Sequence, residues 1–220
     1  MTQCIWLHGT AMAGLRWHDS LPGLWPDLPG HGTAPRATPR VAAYATAVEP
    51  MLPERFVIGG HSLGGMVALQ LAARHSARCR GLVLIDVPLR LFPTIPRLPM
   101  LAPLFGWPGP ISRMIQYRTS NVTRRPALRR TIANTPRAGL IDAMQAALMF
   151  DGRPLVGALP MPVLSILGRT SILTTSRDAV GQTCTLNAGH IVPLDKPEET
   201  AQEIRSFLQQ HVPSSLAGGV

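Results

Sequence analysis

Residues Gly60-His61-Ser62-Leu63-Gly64-Gly65 stand between a short apolar run, 55–59, and a longer run, 66–74, that is typical of a buried helix. The order is that of a strand, a sharp turn and a helix, with Ser62 at the apex of the turn. A residue in such a strained turn needs small neighbours two positions away on both sides, and Gly60 and Gly64 meet that need. The pattern predicts a serine nucleophile beside the positive end of a helix dipole. The alternative is a glycine-rich structural turn.

Two further segments supply the groups that a serine nucleophile requires. His190 follows an apolar, strand-like run near the C-terminus, and a serine hydroxyl is a poor nucleophile unless an imidazole takes its proton. The segment His8-Gly9-Thr10 follows the first strand-like run and is expected to form a loop. The backbone of this loop can come close to a bound carbonyl. We expect the N–H groups of Thr10 and Leu63 to form an oxyanion hole, in which each donor is worth about 3 to 4 kcal/mol.

With these segments in this chain order, the sequence resembles the α/β-hydrolase family over nearly its whole length. The resemblance rests on residues 8–10, 27–32, 60–65 and 189–198. It implies an α/β fold with a doubly wound, mostly parallel sheet that carries a nucleophile, a histidine and a carboxylate at its carboxyl edge. Only Met1 to Gln3 precede the first recognisable strand, so we expect about six strands, the family fold without its first two strands, and a helical cap.

The acid of the predicted catalytic triad is where the sequence departs from the family pattern. Family members usually place an aspartate three residues past the glycine that corresponds to Gly168, and this sequence has Ser171 there. The best replacement is Asp86, at the end of the strand expected after the nucleophile helix. Its alternative role is to cap the loop that follows, since aspartate is ordinary before a turn. Asp178, at the start of a short helix, is the second candidate, and a dyad without a carboxylate is the third.

The pattern of elements divides the chain into a core, an insertion and a tail. Residues 1–88 and 160–212 carry the predicted core strands, 4–7, 23–25, 55–59, 82–85, 163–167 and 183–186, and the predicted helices, 41–51, 63–75 and 198–211. Residues 89–159 are predicted to form a cap or lid over Ser62, and residues 213–220 a loose tail. The stretch 90–140 contains nine arginines and no aspartate or glutamate. It could attract an anionic substrate, an acidic partner or a membrane face, or simply be a solvated face.

Composition limits the class of protein. The chain has 220 residues, of which 45% are hydrophobic and 15% charged, with a net charge of +9. These values fit one globular domain and not a disordered chain. Three cysteines, no secretory signal and no apolar run of membrane-spanning length indicate a cytoplasmic protein. Nucleic-acid binding is disfavoured because no recognisable motif and few aromatic residues accompany the arginines. No histidine pair has metal-ligand spacing, so no metal or cofactor is expected. The oligomeric state is left open.

These features predict a serine hydrolase that cleaves a carboxylic ester, thioester or lactone through an acyl-enzyme intermediate. Ser62 attacks, His190 transfers the proton, and Asp86 orients His190. Two alternatives stay open at this point: a binding protein whose damaged triad no longer turns over, and a lyase or cofactor-free haloperoxidase that uses the same site.

Overall fold

The apolar runs of the sequence form one parallel sheet. The computed structural model describes residues 2–91, 119, 121–157 and 159–212. In this part of the chain, five strands lie side by side in chain order, all parallel. They are β1 (Gln3–Leu7), β2 (Phe56–His61), β3 (Cys79–Ile85), β4 (Val163–Gly168) and β5 (Gln182–Leu186). The prediction of a mostly parallel α/β sheet is confirmed.

Helices connect the strands and follow the last one. They are α1 (Val41–Val48), α2 (Leu63–Arg74), α3 (Arg125–Asn134), α4 (Arg137–Leu148), α5 (Arg153–Val156), α6 (Val192–Asp195) and α7 (Pro197–His211). Short 3₁₀ turns occur at Glu49–Met51 and Ser176–Asp178. The predicted helix 41–51 ends as an α-helix at Val48, because Pro50 lacks an N–H and its ring clashes with the carbonyl four residues earlier. Pro197 begins α7, where its fixed φ suits the first turn.

Both faces of the sheet are covered by helices. Ile5 and Leu7 of β1 join the apolar cluster that contains residues of α1 and α2. Their neighbours Cys4 and Trp6 point to the other face and join the cluster that contains residues of α7. This alternation follows from the two-residue period of a strand. It explains why β1 to β4 are mostly apolar, as parallel strands buried on both faces are, whereas β5, QTCTL, is largely exposed and polar.

One predicted strand is much shorter than expected. Residues 23–25 make only an isolated parallel bridge, in which Leu24 pairs with Ile5. The N–H of Leu24 donates to the carbonyl oxygen of Cys4 and the N–H of Trp6 donates to that of Leu24, both at 2.9 Å. Pro22 and Pro26 flank this bridge, and a proline has no N–H with which to extend a ladder. The sixth strand therefore does not develop beyond one residue.

Helices α3 and α4 belong to the insertion between β3 and β4. Leu128, Ile132 and Leu140 of these helices form a small apolar cluster with core residues, namely Ala11, Met12, Ile191 and Leu194. Most of the proline-rich part of the predicted cap, from residue 92 to 118, lies outside the described residues, as does the predicted tail 213–220. Among the helices that the structure describes, none is both long enough and apolar enough to cross a membrane.

Candidate active site

The turn between β2 and α2 holds Ser62 in an uncommon backbone conformation. Ser62 has φ 52° and ψ −121°, and its N–H donates to the carbonyl oxygen of Ile85 on β3 at 3.0 Å. A Cβ added to Gly60 would lie 2.2 Å from the carbonyl carbon of Gly64, closer than non-bonded atoms can approach. The two glycines therefore let the strand and the helix pack closely enough for this turn to form, as the spacing predicts.

Three side chains from distant parts of the sequence meet beside this turn. The Nε2 atom of His190 lies 2.9 Å from the Oγ atom of Ser62. The other ring nitrogen of His190, Nδ1, lies 2.6 Å from the Oδ2 atom of Asp86. With the proton on Nδ1, the imidazole donates to the carboxylate and leaves Nε2 free to accept the serine hydroxyl. Chemically, this chain of contacts can take a proton from Ser62 and stabilise the imidazolium that results.

Asp86 is fully buried and accepts hydrogen bonds from the end of the neighbouring strand β4 and from the loop that follows it. Its Oδ1 atom accepts hydrogen bonds from the N–H of Gly168 at 2.8 Å and from the Thr174 hydroxyl at 2.7 Å. Its Oδ2 atom, which contacts His190, also accepts from the Ser171 hydroxyl at 2.6 Å. Burial opposes ionisation, but the hydrogen bond and charge of His190, with the Gly168 and Ser171 donors, outweigh it. The pKa of Asp86 is therefore lowered from its ordinary value.

The second candidate acid has a different role in the structure. Asp178 ends the turn Ser176–Asp178, and its carboxylate accepts from the backbone N–H of Thr175 at 2.9 Å, in a capping box. Its other oxygen accepts from the N–H of Leu89, also at 2.9 Å. These contacts are those of a helix cap that also fixes the end of the loop after β3. The histidine partner that the sequence leaves open between Asp86 and Asp178 is Asp86 in the structure.

The two predicted oxyanion donors lie in segments that touch each other. Leu63 is the first residue of α2, where the N–H groups have no partner within the helix. Thr10 follows β1, in the loop His8-Gly9-Thr10. A Cβ added to Gly64 would lie 2.2 Å from the carbonyl oxygen of Leu7 and 2.5 Å from that of His8. The start of α2 is therefore packed directly against the loop that carries Thr10.

Three other histidines, His8, His31 and His61, are buried and hold the loops of the site through hydrogen bonds. Acceptor nitrogens of His8 and His31 receive backbone N–H groups of Leu28 and Ala11, each at 3.0 Å. His61 donates from Nε2 to the carbonyl oxygen of His190 at 2.8 Å. Burial lowers the pKa of His8 to about 3, assisted by the charge of His31, and lowers that of His61 to about 3, assisted by the charge of His190.

The sequence did not reveal the hydrogen-bond donors of Asp86. In the sequence pattern Ser171 stands only in place of the usual acid, and no motif includes Thr174. The available signal was the position of Ser171, because a residue three places past Gly168 lies where the family acid would reach the histidine. A polar residue there was a candidate partner for an acid that arrives from the neighbouring strand.

Comparison with protein families gives one match that spans most of the chain. The model described as "Alpha/beta hydrolase family" matches residues 4–203. A curated relative, the pimeloyl-[acyl-carrier protein] methyl ester esterase of Neisseria meningitidis serogroup C, is 33% identical over 177 residues, which cover 71% of this chain and 69% of the relative.

Solved structures share the fold. A thermophilic esterase from Thermogutta terrifontis superposes with a TM-score of 0.79 at 23% identity, covering 94% of this chain and 90% of the esterase. The enol-lactonase from Burkholderia xenovorans superposes with a TM-score of 0.81 at 17% identity, covering 95% of this chain and 92% of the lactonase. At these identities the likeness concerns the arrangement of the elements.

Proposed function

The chain belongs to the alpha/beta hydrolase family and is an ester-cleaving enzyme, and we propose that Ser62, His190 and Asp86 are its catalytic triad. One observation carries this proposal: the unbroken contact from Ser62 Oγ through both ring nitrogens of His190 to Asp86 Oδ2. The two alternatives, an inactive binding protein and a lyase or haloperoxidase, are not favoured. A carboxylate completes the site, and the curated relative is named as an esterase.

The reaction proceeds in two steps. The Ser62 hydroxyl passes its proton to Nε2 of His190 while its oxygen attacks the carbonyl carbon of the ester. The N–H groups of Thr10 and Leu63 stabilise the negative oxygen that forms. When this intermediate collapses, the alcohol leaves with the proton from Nε2 and the acyl group stays on Ser62. A water molecule then attacks the acyl group, gives its proton to Nε2, and releases the carboxylic acid as Ser62 recovers the proton.

The test of this proposal is covalent labelling combined with turnover. A fluorophosphonate probe reacts quickly only with an activated serine, so we expect labelling of the wild-type chain and none of Ser62→Ala. The same variant should lose hydrolysis of short-chain and long-chain acyl esters. Labelling that persists in Ser62→Ala, or a wild-type chain that neither labels nor hydrolyses any ester, would contradict the triad. Circular dichroism of each variant shows whether the fold is retained.

Residues 89–159 form the cap over this site in our proposal. Two core residues near the predicted machinery, Met12 and Ile191, pack with the insertion residues Leu128, Ile132 and Leu140. Arg36 also donates from Nε to Asp142 of α4 at 2.7 Å, which ties the loop after residue 32 to the insertion. Ile132→Ala should therefore change KM for esters more than kcat, because the cap bounds the pocket while the triad stays in place. Unchanged kinetics would argue against a cap at this position.

For the substrate, we propose a carboxylic methyl ester carried on a negatively charged protein. The support is the curated relative, which is named for a pimeloyl-[acyl-carrier protein] methyl ester, together with the exposed arginines of the insertion, Arg129, Arg130 and Arg137. These cations would raise the rate at which an anionic carrier arrives, with a strong dependence on salt.

The test measures kcat/KM for the carrier-bound ester and for the same ester free in solution. Arg129→Glu with Arg130→Glu should lower kcat/KM for the carrier-bound ester by roughly tenfold at low salt and leave the free ester unchanged. Arg55→Glu with Arg80→Glu, at two exposed positions of the core next to β2 and in β3, is the matched double charge reversal away from the insertion. Equal effects of the two reversals, or no preference for the carrier, would contradict this substrate class.

We propose the cytoplasm as the location of the enzyme. The thiols of Cys4, Cys79 and Cys184 are free, and burial raises the pKa of Cys4 to about 12 and that of Cys79 to about 11. Unpaired thiols suit a reducing compartment. Fractionation of cells that express the untagged chain checks this, and recovery outside the cytoplasmic fraction would contradict it.

A further inference from the structure

The acid of the site is held by groups at the end of a neighbouring strand and in the loop that follows it. Asp86 follows β3 and has φ 47°, a left-handed conformation that aspartate adopts more readily than most residues. In this conformation the carboxylate is hydrogen-bonded to the last residue of β4, to the loop after β4 and to His190. Both of its oxygens have two donors, and three of the four donors come from residues 168–174.

The two carboxylate oxygens are not equivalent. Oδ1 accepts hydrogen bonds from Gly168 and Thr174, and the hydrogen bond of the imidazole goes to the other oxygen. Oδ2 accepts from His190 Nδ1 and from the Ser171 hydroxyl, each at 2.6 Å. Ser171 is therefore the one side-chain donor, apart from His190 itself, that bonds to the oxygen facing the imidazole in this part of the chain.

The Ser171 hydroxyl is itself oriented by the backbone. Its oxygen accepts the N–H of Leu173 at 3.3 Å, which occupies one lone pair. The N–H of Ser171 donates to the carbonyl oxygen of Gly168 at 3.0 Å, which closes a tight turn. Gly168 in turn donates to the other oxygen of Asp86. With the lone pair engaged, the hydroxyl proton is directed at Oδ2 of Asp86.

We propose that Ser171 is a positioning residue of the catalytic triad, which sets both the place and the basicity of the Asp86 oxygen that His190 contacts. This inference rests on the proposed triad. A hydrogen bond to a carboxylate stabilises its charged form and draws charge away from its other contacts. The Ser171 hydroxyl thus moderates the hold of Asp86 on protonated His190, and it keeps Oδ2 in line with Nδ1.

The test compares five variants with the wild type in one ester-hydrolysis assay across pH. Ser171→Ala should lower kcat by about tenfold with KM within about twofold, since the loss concerns the reacting state and not ester binding. In this variant the acidic limb of the plot of kcat against pH should move to higher pH, because the Asp86 carboxylate then binds protonated His190 more strongly. Ser171→Thr keeps the hydroxyl and should restore both kcat and the profile.

Ser165→Ala is the matched control for a merely structural loss. Ser165 lies on β4, is buried, and bonds through its hydroxyl to the carbonyl oxygen and N–H of Val180 at 2.8 and 2.9 Å. This variant should lose stability and keep the wild-type pH profile. An unmoved profile in Ser171→Ala, or an equal movement in Ser165→Ala, would overturn the inference.

Asp86→Asn and Ser62→Ala in the same assay separate the two proposals. If both lose turnover while Ser171→Ala behaves as the wild type, the triad stands and only the role of Ser171 is wrong. If Ser62→Ala retains turnover, the proposed function itself fails.

Discussion

Nδ1 of His190 lies 2.6 Å from Oδ2 of Asp86, although the two residues are 104 positions apart in the chain. The contact joins residues that follow two strands that are not neighbours in the sheet. Asp86 follows β3 and His190 follows β5, and β4 lies between these strands. Parallel strands place their carboxyl ends along the same edge of a sheet. A carboxylate from β3 therefore reaches the histidine once its side chain turns toward β4.

Asp86→Asn is expected to lower kcat by about 10³- to 10⁴-fold, because an amide favours the wrong imidazole tautomer and cannot stabilise the imidazolium. Asp178→Asn is the matched control, since Asp178 caps a 3₁₀ turn and bonds to Thr175 and Leu89. It should cost about 1 kcal/mol of stability and leave kcat close to that of the wild type. Steady-state kinetics on one ester give both values. Full turnover in Asp86→Asn with a loss in Asp178→Asn would reverse the assignment.

A carboxylate at position 171, after β4, should be able to replace the carboxylate of Asp86, after β3. The Ser171 Oγ atom lies 2.6 Å from the Asp86 oxygen that contacts His190, so a carboxylate at position 171 is within reach of the imidazole. We expect Asp86→Ser to lose most activity and the double variant, Asp86→Ser with Ser171→Asp, to recover at least about tenfold in kcat/KM.

Ser171→Asp alone supplies the reciprocal control for this exchange. Two carboxylates in hydrogen-bond contact cannot both ionise freely, so the single variant should be less active than the wild type at neutral pH. A double variant no more active than Asp86→Ser would show that position 171 cannot serve the histidine.

The enzyme should lose stability as the pH falls below about 6.5. His8 and His61 have folded-state pKa values of about 3, against 6.5 for the ordinary group. Since these pKa values are lowered, the unfolded chain binds protons that the folded chain does not, and acid favours unfolding. At pH 5 this amounts to about 2 kcal/mol for each histidine.

Urea denaturation at pH 7.5 and pH 5 measures this dependence on pH. His8→Gln should flatten it, whereas His211→Gln, at an exposed position, should leave it as in the wild type. A free energy of unfolding that is constant between the two pH values would show that these buried histidines are protonated without penalty.

Gly64→Ala should prevent correct packing around the nucleophile. The added methyl group would lie 2.2 Å from the carbonyl oxygen of Leu7 and 2.5 Å from that of His8, and neither backbone can move without disturbing β1. We expect a loss of about 3 kcal/mol or a failure to fold. Gly157→Ala is the control, because a Cβ there meets nothing within 4 Å, and its stability should change by less than about 1 kcal/mol. Thermal unfolding followed by circular dichroism compares the two, and equal melting temperatures would refute the steric argument.

The sheet and its helices could be predicted because their causes are local. Apolar runs of four to six residues separated by helical periodicity indicate parallel strands, and β1 to β5 all lie within residues predicted as strands or next to them. The shortness of the predicted strand at residues 23–25 also has a local cause. Pro22 and Pro26 withhold the N–H groups that a longer strand needs, although Leu24 itself pairs with Ile5 as expected.

For the candidate site, the motifs identified Ser62 and His190, which lie in contact 128 positions apart. The sequence favours Asp86 over Asp178 as the partner of His190 because Asp86 ends the strand expected after the nucleophile helix, but capping a loop or a helix explains either aspartate equally well. The structure separates them by their neighbours: Asp178 bonds to Thr175 and Leu89, and Asp86 to His190.

Hydrophobic periodicity and the small size of glycine concern residues that are close in the chain. The strand, turn and helix around Ser62 could therefore be predicted from the sequence. The choice of acid and the donors that hold it depend on which strand ends become neighbours. Only folding brings β3, β4 and the His190 loop to one edge of the sheet, and there the Ser171 hydroxyl meets Asp86, 85 positions away. Hydrogen bonds act over about 3 Å, and chain order does not specify such distances between remote side chains.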